Sequence, residues 1–163
     1  MYYQQMNRGA LGGHAFAALL ALGLADAPAS AQNAVSEQAV ARKADDRSLD
    51  WGPCPSFMPA GCALAVLHGD PSKPNADVFF RVPAGASLPI HWHTSAERMV
   101  LVSGELRVIY QGQEPVVLTS GAYAYGPPGR PHGGDCVSAT ACTLFIAFEE
   151  PVDAVAAKDG HRP

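Results

Sequence analysis

The sequence has little positive charge and no cluster of it. Its 163 residues include 11 Lys and Arg against 15 Asp and Glu, which gives a formal net charge of -4. A chain without a basic patch has nothing to neutralise phosphates, so we expect no nucleic-acid partner. Aromatic residues are also few, at 8%, although 48% of the residues are apolar. That apolar content can fill one core and predicts a single folded domain.

Long apolar runs are absent after residue 31. Residues 10–25 form the only such run; Arg8 is the one charge before it, and residues 29–31 (Ala-Ser-Ala) have the small-x-small pattern that signal peptidases cleave. We therefore predict a signal peptide over residues 1–31, a periplasmic or secreted protein, and no membrane segment after cleavage. An uncleaved anchor is the alternative, which the short Ala/Gly-rich run with His14 inside it disfavours.

Amphipathic helical patterns are lacking between residues 51 and 149. Short apolar or alternating segments occur instead, separated by Gly and Pro turns. About eight of them are predicted to be strands: residues 63–67, 77–82, 88–93, 97–102, 105–110, 116–119, 122–125 and 143–148. Short strands joined in this way indicate an all-β double-sheet jelly roll over residues 51–150.

The segments that flank this barrel have other compositions. Residues 32–50 are polar and alternate in charge, which predicts a linker or a loosely docked arm. Residues 51–59 contain three prolines, which exclude a helix and most ladder pairings and predict an extended lid or strap. Residues 151–163 are polar and Ala-rich, and are predicted to be a short helix or a frayed end.

The four cysteines lie outside the predicted signal peptide and form two close pairs. An even number in an exported chain favours disulfides. Of the three connectivities, the simplest pairs Cys54 with Cys62 and Cys136 with Cys142. The alternative is that Cys136 is a thiolate ligand or a reactive thiol near a metal.

Three histidines and one glutamate have the spacing of a metal site. His91 and His93 project to the same face of a predicted strand, and Glu97 can fold back to them across a short bend. His132 ends a Pro/Gly turn, residues 126–132, which could deliver it from a neighbouring strand. We predict that these four residues bind one divalent transition-metal ion, such as Mn, Fe, Co, Ni, Cu or Zn, and leave coordination positions open.

The spacing also resembles the two motifs of the cupin superfamily. These are Gly85-x5-His91-x-His93-x3-Glu97-x6-Gly104 and Gly121-x5-Pro127-x-Gly129-x2-His132. Cys136 stands where the family usually has Asn. The resemblance covers roughly residues 62–149, and it implies a double-stranded β-helix, a jelly-roll barrel with the metal inside.

The resemblance does not imply a single reaction, because cupins serve many functions. We predict a metal-dependent oxidoreductase or lyase that acts on a small oxygen-containing substrate by dioxygenase, isomerase or lyase chemistry. A non-catalytic binding or sensing module is the alternative. Neither motif contains a second carboxylate, so a separate proton donor would be a tyrosine, a bound water or a lid residue. Glu97 and Tyr110 are the predicted catalytic residues; Tyr123, Tyr125 and Arg81 are further ligand-orienting candidates.

Alternation along the predicted strands indicates which side chains share the interior. The inward set comprises Glu97, Met99, Leu101, Leu106, Val108 and Tyr110. Along residues 122–125, either the tyrosines or the alanines face inward. Val100 and Val102 then face outward, and an apolar outer face of this kind predicts a homodimer.

Overall fold

The computed structural model describes residues 38–157. The predicted signal peptide and residues 158–163 lie outside the described residues. Within them the chain forms eleven strands and no α-helix. The strands are β1 (Trp51–Pro53), β2 (Ala63–His68), β3 (Ala76–Val82), β4 (Ser87–Trp92), β5 (Glu97–Ser103), β6 (Leu106–Tyr110), β7 (Val116–Leu118), β8 (Tyr123–Gly126), β9 (His132–Cys136), β10 (Cys142–Phe148) and β11 (Val155–Ala156). Nothing in this part of the chain is a helix long and apolar enough to cross a membrane.

The strands form two antiparallel sheets. One has the order β1-β2-β3-β10-β5-β8, and the other has the order β11-β4-β9-β6-β7. Their inner faces supply a shared core that includes Val78, Leu101, Leu106 and Leu144, each at most 2% exposed. A side chain of this size stabilises the fold by about 1.5–3 kcal/mol when it is fully buried. The predicted all-β fold is confirmed.

The predicted alternation along β5 and β6 is also confirmed. Glu97, Met99 and Leu101 are buried on β5 while Arg98 between them is exposed, and the inward set of β6 is buried as expected. The open question on β8 is settled in favour of the alanine. Ala124 is buried, whereas Tyr123 and Tyr125 lie on the outer face.

The strand β9 was not among the predicted strands, which left His132 in a turn. Gly133 and Gly134 carry no strand propensity, but they allow β9 to run between β4 and β6. A Cβ on Gly134 would lie 2.3 Å from the Arg107 carbonyl oxygen, and one on Gly133 would lie 2.9 Å from the Leu88 carbonyl oxygen. The glycines therefore make the strand possible by admitting close backbone neighbours.

Two flanking segments also differ from the predictions. Trp51–Pro53 pairs with β2 as an edge strand, where Pro53 needs no second ladder partner. The described part of the tail is neither a helix nor a frayed end, because Val155–Ala156 pairs with β4. Backbone hydrogen bonds to an available sheet edge, rather than side-chain composition, determine the tail's conformation.

Both predicted disulfides are present. Cys54 is bonded to Cys62 and Cys136 to Cys142, and the described residues include no free cysteine. The alternative role of Cys136 as a thiolate ligand is therefore wrong. Two disulfides in a chain of this size are typical of an oxidising compartment.

Candidate metal centre

Three imidazoles converge inside the barrel. His91 is on β4, His93 follows that strand directly, and His132 begins β9. The ladder pairs His91 with His132, and their ring centroids are 4.4 Å apart. One ligand atom from each histidine lies within 4.8 Å of the other two, and each residue is at most 7% exposed. The two sheet strands and the short bend after β4 thus hold three nitrogen donors together.

A backbone carbonyl fixes the tautomer of each ring. Nδ1 of His91 lies 2.7 Å from the Pro89 oxygen, Nδ1 of His132 lies 3.0 Å from the Arg130 oxygen, and Nδ1 of His93 contacts the Asp153 oxygen. A carbonyl oxygen only accepts hydrogen bonds, so each Nδ1 carries the proton. In the neutral ring Nε2 is then a free lone pair, which is the form that binds a metal ion.

Glu97 lies against two of the three histidines, and the four residues together are called the cluster. Its Oε1 lies 3.2 Å from Nε2 of His93, and its Oε2 lies 3.3 Å from Nε2 of His132. The carboxylate is 3% exposed, and neither its Oε2 nor Nε2 of His93 makes a well-formed hydrogen bond. Lone pairs that face a carboxylate in a buried site require a proton or a cation between them, since each unsatisfied group costs about 1–3 kcal/mol. The donor set therefore fits a metal ion.

The pKa values of the cluster are shifted in different directions. Burial, reinforced by the charge of His132, lowers the pKa of His91 from 6.5 to about 4. Burial opposes the charge on His132, but the negative Glu97 carboxylate, 3.3 Å from Nε2, outweighs burial and raises the pKa of His132. Burial likewise opposes the charge on Glu97, yet His132 and the other two histidines lower the pKa of that carboxyl. Without a metal ion, a proton between His132 and Glu97 is thus the favoured substitute.

A cavity of about 160 Å³ adjoins the cluster. His91, His93 and Glu97 form part of its wall. The remaining wall is mostly apolar and comprises Pro55, Met58, Leu64, Phe80, Ile146, Phe148, Val152, Asp153 and Ala154. An apolar cavity of roughly 150 Å³ accommodates benzene, so a small ligand of that size fits here. The described lining includes no Lys or Arg.

Tyr110 lies beside the cluster but is not among the residues that line this cavity. Its ring centroid is 5.4 Å from that of His132, and its hydroxyl is buried without a hydrogen-bond partner. Burial, and then the negative charge of Glu97, raise the pKa of Tyr110. The hydroxyl therefore stays protonated, and a catalytic role for it stays a prediction.

The other proposed ligand-orienting residues are placed elsewhere, so those predictions are wrong. The guanidinium of Arg81 lies 3.8 Å from the Trp51 ring centroid and donates a 2.8 Å hydrogen bond to the Ala44 carbonyl. On β3 the neighbouring Phe80 faces the cavity, and strand alternation turns Arg81 outward. Tyr123 and Tyr125 are 60% and 47% exposed.

Sequence reasoning indicated the contribution of the loop but missed that of the tail. The loop closed by Cys54 and Cys62 supplies Pro55 and Met58 to the cavity wall, and the tail supplies Asp153. The prolines of the loop did indicate a lid. For Asp153 there was no signal, because its contact with His93 is made by a backbone carbonyl that any residue type possesses.

Known proteins share this fold. Residues 40–151 match the family described as the ChrR cupin-like domain. The DMSP lyase DddQ from Ruegeria pomeroyi DSS-3 superposes with a TM-score of 0.60 at 20% identity, over 70% of this chain and 64% of that chain. The polyketide cyclase RemF from Streptomyces resistomycificus superposes with a TM-score of 0.59 at 16% identity, over 73% of this chain and 87% of that chain. An RmlC-like cupin from Shewanella frigidimarina NCIMB 400 superposes with a TM-score of 0.53 at 24% identity, over 64% of this chain and 86% of that chain.

These structural similarities, at such low identities, demonstrate a shared fold. The chain spans less than two thirds of the length of DddQ, and no curated protein matches its sequence. The family match is of a different kind, because it extends over more than half of the chain and includes all four residues of the cluster. The protein therefore belongs to the ChrR cupin-like domain family of the cupin superfamily.

Proposed function

We propose that the protein binds one divalent transition-metal ion through Nε2 of His91, His93 and His132 and through the carboxylate of Glu97. The observation that supports this most strongly is the set of three backbone carbonyls that hold the Nδ1 protons. They leave Nε2 of each ring as the lone pair inside the barrel, and the Glu97 carboxylate lies 3.2 Å from Nε2 of His93 and 3.3 Å from Nε2 of His132. An imidazole set of this kind is compatible with Mn, Fe, Co, Ni, Cu or Zn.

We further propose that the protein is an enzyme for a small, largely apolar substrate that carries a neutral oxygen function. A bound transition-metal ion supplies Lewis-acid or redox chemistry. The mostly apolar wall favours an apolar part of the substrate next to the metal-binding residues, and the cavity of about 160 Å³ is large enough for a small molecule. Since the described lining includes no cationic side chain, a diol, an enol or a ketone fits better than a carboxylate that needs a guanidinium partner.

Glu97 is the residue to which we assign proton transfer. Its lowered pKa keeps it ionised at neutral pH, so it is suited to accept a proton rather than to donate one. The other acidic residue of the wall, Asp153, has both carboxylate oxygens engaged by Thr94. DddQ and RemF are named a lyase and a cyclase, which supports a catalytic role within this fold.

We also propose export and self-association. The two disulfides support a periplasmic or secreted location. The edge strands β7 and β8 expose Val116, Val117, Tyr123 and Tyr125, and exposed apolar side chains at sheet edges favour a homodimer. Light scattering at micromolar protein should give twice the mass of the mature chain; the mass of one chain would contradict the dimer.

The metal proposal is tested by chelator competition with Co²⁺ or Zn²⁺. We expect one ion per chain, and a loss of affinity of at least about 10–100-fold when His91, His93 or His132 is changed to Ala. His68→Ala is the matched control, because it removes an imidazole outside the cluster and should leave the affinity unchanged. An equal loss in His68→Ala would contradict the assignment.

The catalytic proposal is tested with Glu97→Gln on a panel of diols and catechols, together with keto acids, whose carboxylate should make them the poorer substrates. The variant retains an oxygen donor but loses the charge, so turnover should fall further than metal affinity. If the loaded protein turns over none of these compounds, the non-catalytic binding or sensing function is favoured instead.

A further inference from the structure

His93 is the one histidine of the cluster whose tautomer depends on a distant part of the chain. His91 and His132 each bind the carbonyl of the residue two positions before them, so the local backbone is sufficient for both. The carbonyl that accepts from His93 belongs to Asp153, sixty residues later. The proton on His93 is therefore fixed only while residues 151–157, which we call the C-terminal strap, are docked.

A pair of side chains holds the strap at this point. The Asp153 carboxylate accepts 2.9 Å hydrogen bonds from the Thr94 backbone N–H and from the Thr94 hydroxyl. Thr94 is the residue immediately after His93. Asp153, whose carbonyl accepts the hydrogen bond of His93, is thus attached to Thr94, the residue next to His93. The acceptor in this attachment is a charged carboxylate, which makes stronger hydrogen bonds than a neutral group.

Contacts on either side of this pair also hold the C-terminal strap. Val152 N–H donates to the Pro71 carbonyl, and Ala157 N–H donates to the Ile90 carbonyl, each at 2.9 Å. Ala156 pairs with His91 in the ladder between β11 and β4. Residues 152–154 of the strap also line the cavity. One docked segment consequently orients a metal-binding ring and forms part of the cavity wall.

We propose that Thr94 and Asp153 are positioning residues of the metal centre, which act by holding the Asp153 carbonyl against Nδ1 of His93. This inference rests on the proposed metal function. When the pair is lost, the strap moves away and the His93 proton is no longer confined to Nδ1. A smaller fraction of the protein then presents the Nε2 lone pair of His93, and the apparent metal affinity falls in proportion to that fraction.

The test compares substitutions that remove the pair with substitutions that conserve it. Asp153→Ala removes both hydrogen bonds, and Thr94→Val removes the one from the hydroxyl. Asp153→Asn and Thr94→Ser retain partners for both groups. Ser87→Ala is the matched control: it removes a 2.6 Å hydrogen bond from the Ser87 hydroxyl to the Asp135 carboxylate, at the end of β4 that is away from His93.

Two quantities are measured: Co²⁺ affinity by chelator competition, and the tautomer of each histidine in the metal-free protein by long-range ¹H–¹⁵N NMR. We expect Asp153→Ala to weaken Co²⁺ binding by about 10–100-fold, as for other groups that orient a ligand. Thr94→Val should have a smaller effect, and the conservative variants and Ser87→Ala should be close to wild type. In Asp153→Ala the Nδ1–H signal of His93 alone should be lost.

The outcomes separate this inference from the metal function. Wild-type protein that binds no ion but has the Nδ1–H tautomer on His93, sensitive to Asp153→Ala, would refute the metal function and support the positioning role. Unchanged affinity and an unchanged His93 tautomer in Asp153→Ala would overturn the positioning role. So would an equal loss of affinity in Ser87→Ala, which would indicate a general effect on the strand.

Discussion

Lowering the pH from 6.5 to 4 should destabilise the metal-free protein through His91. The folded-state pKa of His91 is about 4, because burial and then the charge of His132 disfavour the imidazolium. In the unfolded chain a histidine has a pKa near 6.5. Between these values the unfolded state binds a proton that the folded state does not, so the free energy of unfolding falls as the pH falls.

The size of the effect follows from the two pKa values. At about 1.36 kcal/mol for each unit of pKa difference, His91 accounts for a loss of about 3 kcal/mol between pH 6.5 and 4. The contribution of His132 to the free energy of unfolding changes with pH in the opposite direction. Its pKa is raised, so its contribution is fully present below the unfolded value and is lost as the pH rises through the folded value. The two effects therefore occupy different pH windows.

Urea unfolding at a series of pH values, followed by tryptophan fluorescence, measures the contribution of His91 to the free energy of unfolding. The matched variant is His91→Asn, which does not titrate and can still donate a hydrogen bond to the Pro89 carbonyl. Across pH 6.5 to 4, wild type should lose about 3 kcal/mol more than His91→Asn. Parallel pH curves for the two proteins would show that His91 is not held neutral and would refute the reasoning.

Three further predictions concern the surroundings of the cluster. In Gly126→Ala the new Cβ would lie 3.0 Å from Oε2 of Glu97, so Co²⁺ titration should show weaker binding with little change in melting temperature; unaltered affinity would mean that the carboxylate can shift freely. Replacing Cys54 and Cys62 together by Ser should lower the free energy of unfolding by about 2–4 kcal/mol in urea, and no change would mean that packing alone holds the loop. Tyr110→Phe removes a buried hydroxyl without a partner, so the urea midpoint should stay equal or rise; lower turnover at unchanged metal affinity would identify the hydroxyl as catalytic, and a lower midpoint would contradict its unpaired state.

The shared face of His91 and His93 and the burial of Glu97 could be predicted because both depend on strand alternation. His91 and His93 are separated by the strand period, and the burial of Met99 and Leu101 follows from the same alternation. The framing glycines and prolines add turn chemistry that few other folds require. Burial could be predicted wherever a strand alternates between apolar and polar residues.

Features that depend on long-range backbone contacts could not be predicted in this way. β9 begins with His132 and continues through two glycines, which have no side chain to indicate burial but are needed between two close strands. The β11 pairing and the Asp153 carbonyl involve only backbone atoms, which every residue type shares. On β8, tyrosine and alanine are both acceptable in a strand interior, so only the packing of the sheets decides between them.

The central claim is that His91, His93, His132 and Glu97 together bind one metal ion. The most direct measurement is the metal content of the purified protein, by elemental analysis after dialysis against each of Mn, Fe, Co, Ni, Cu and Zn. We predict one ion per chain for at least one of these metals. A chain that retains none of the six would contradict the claim.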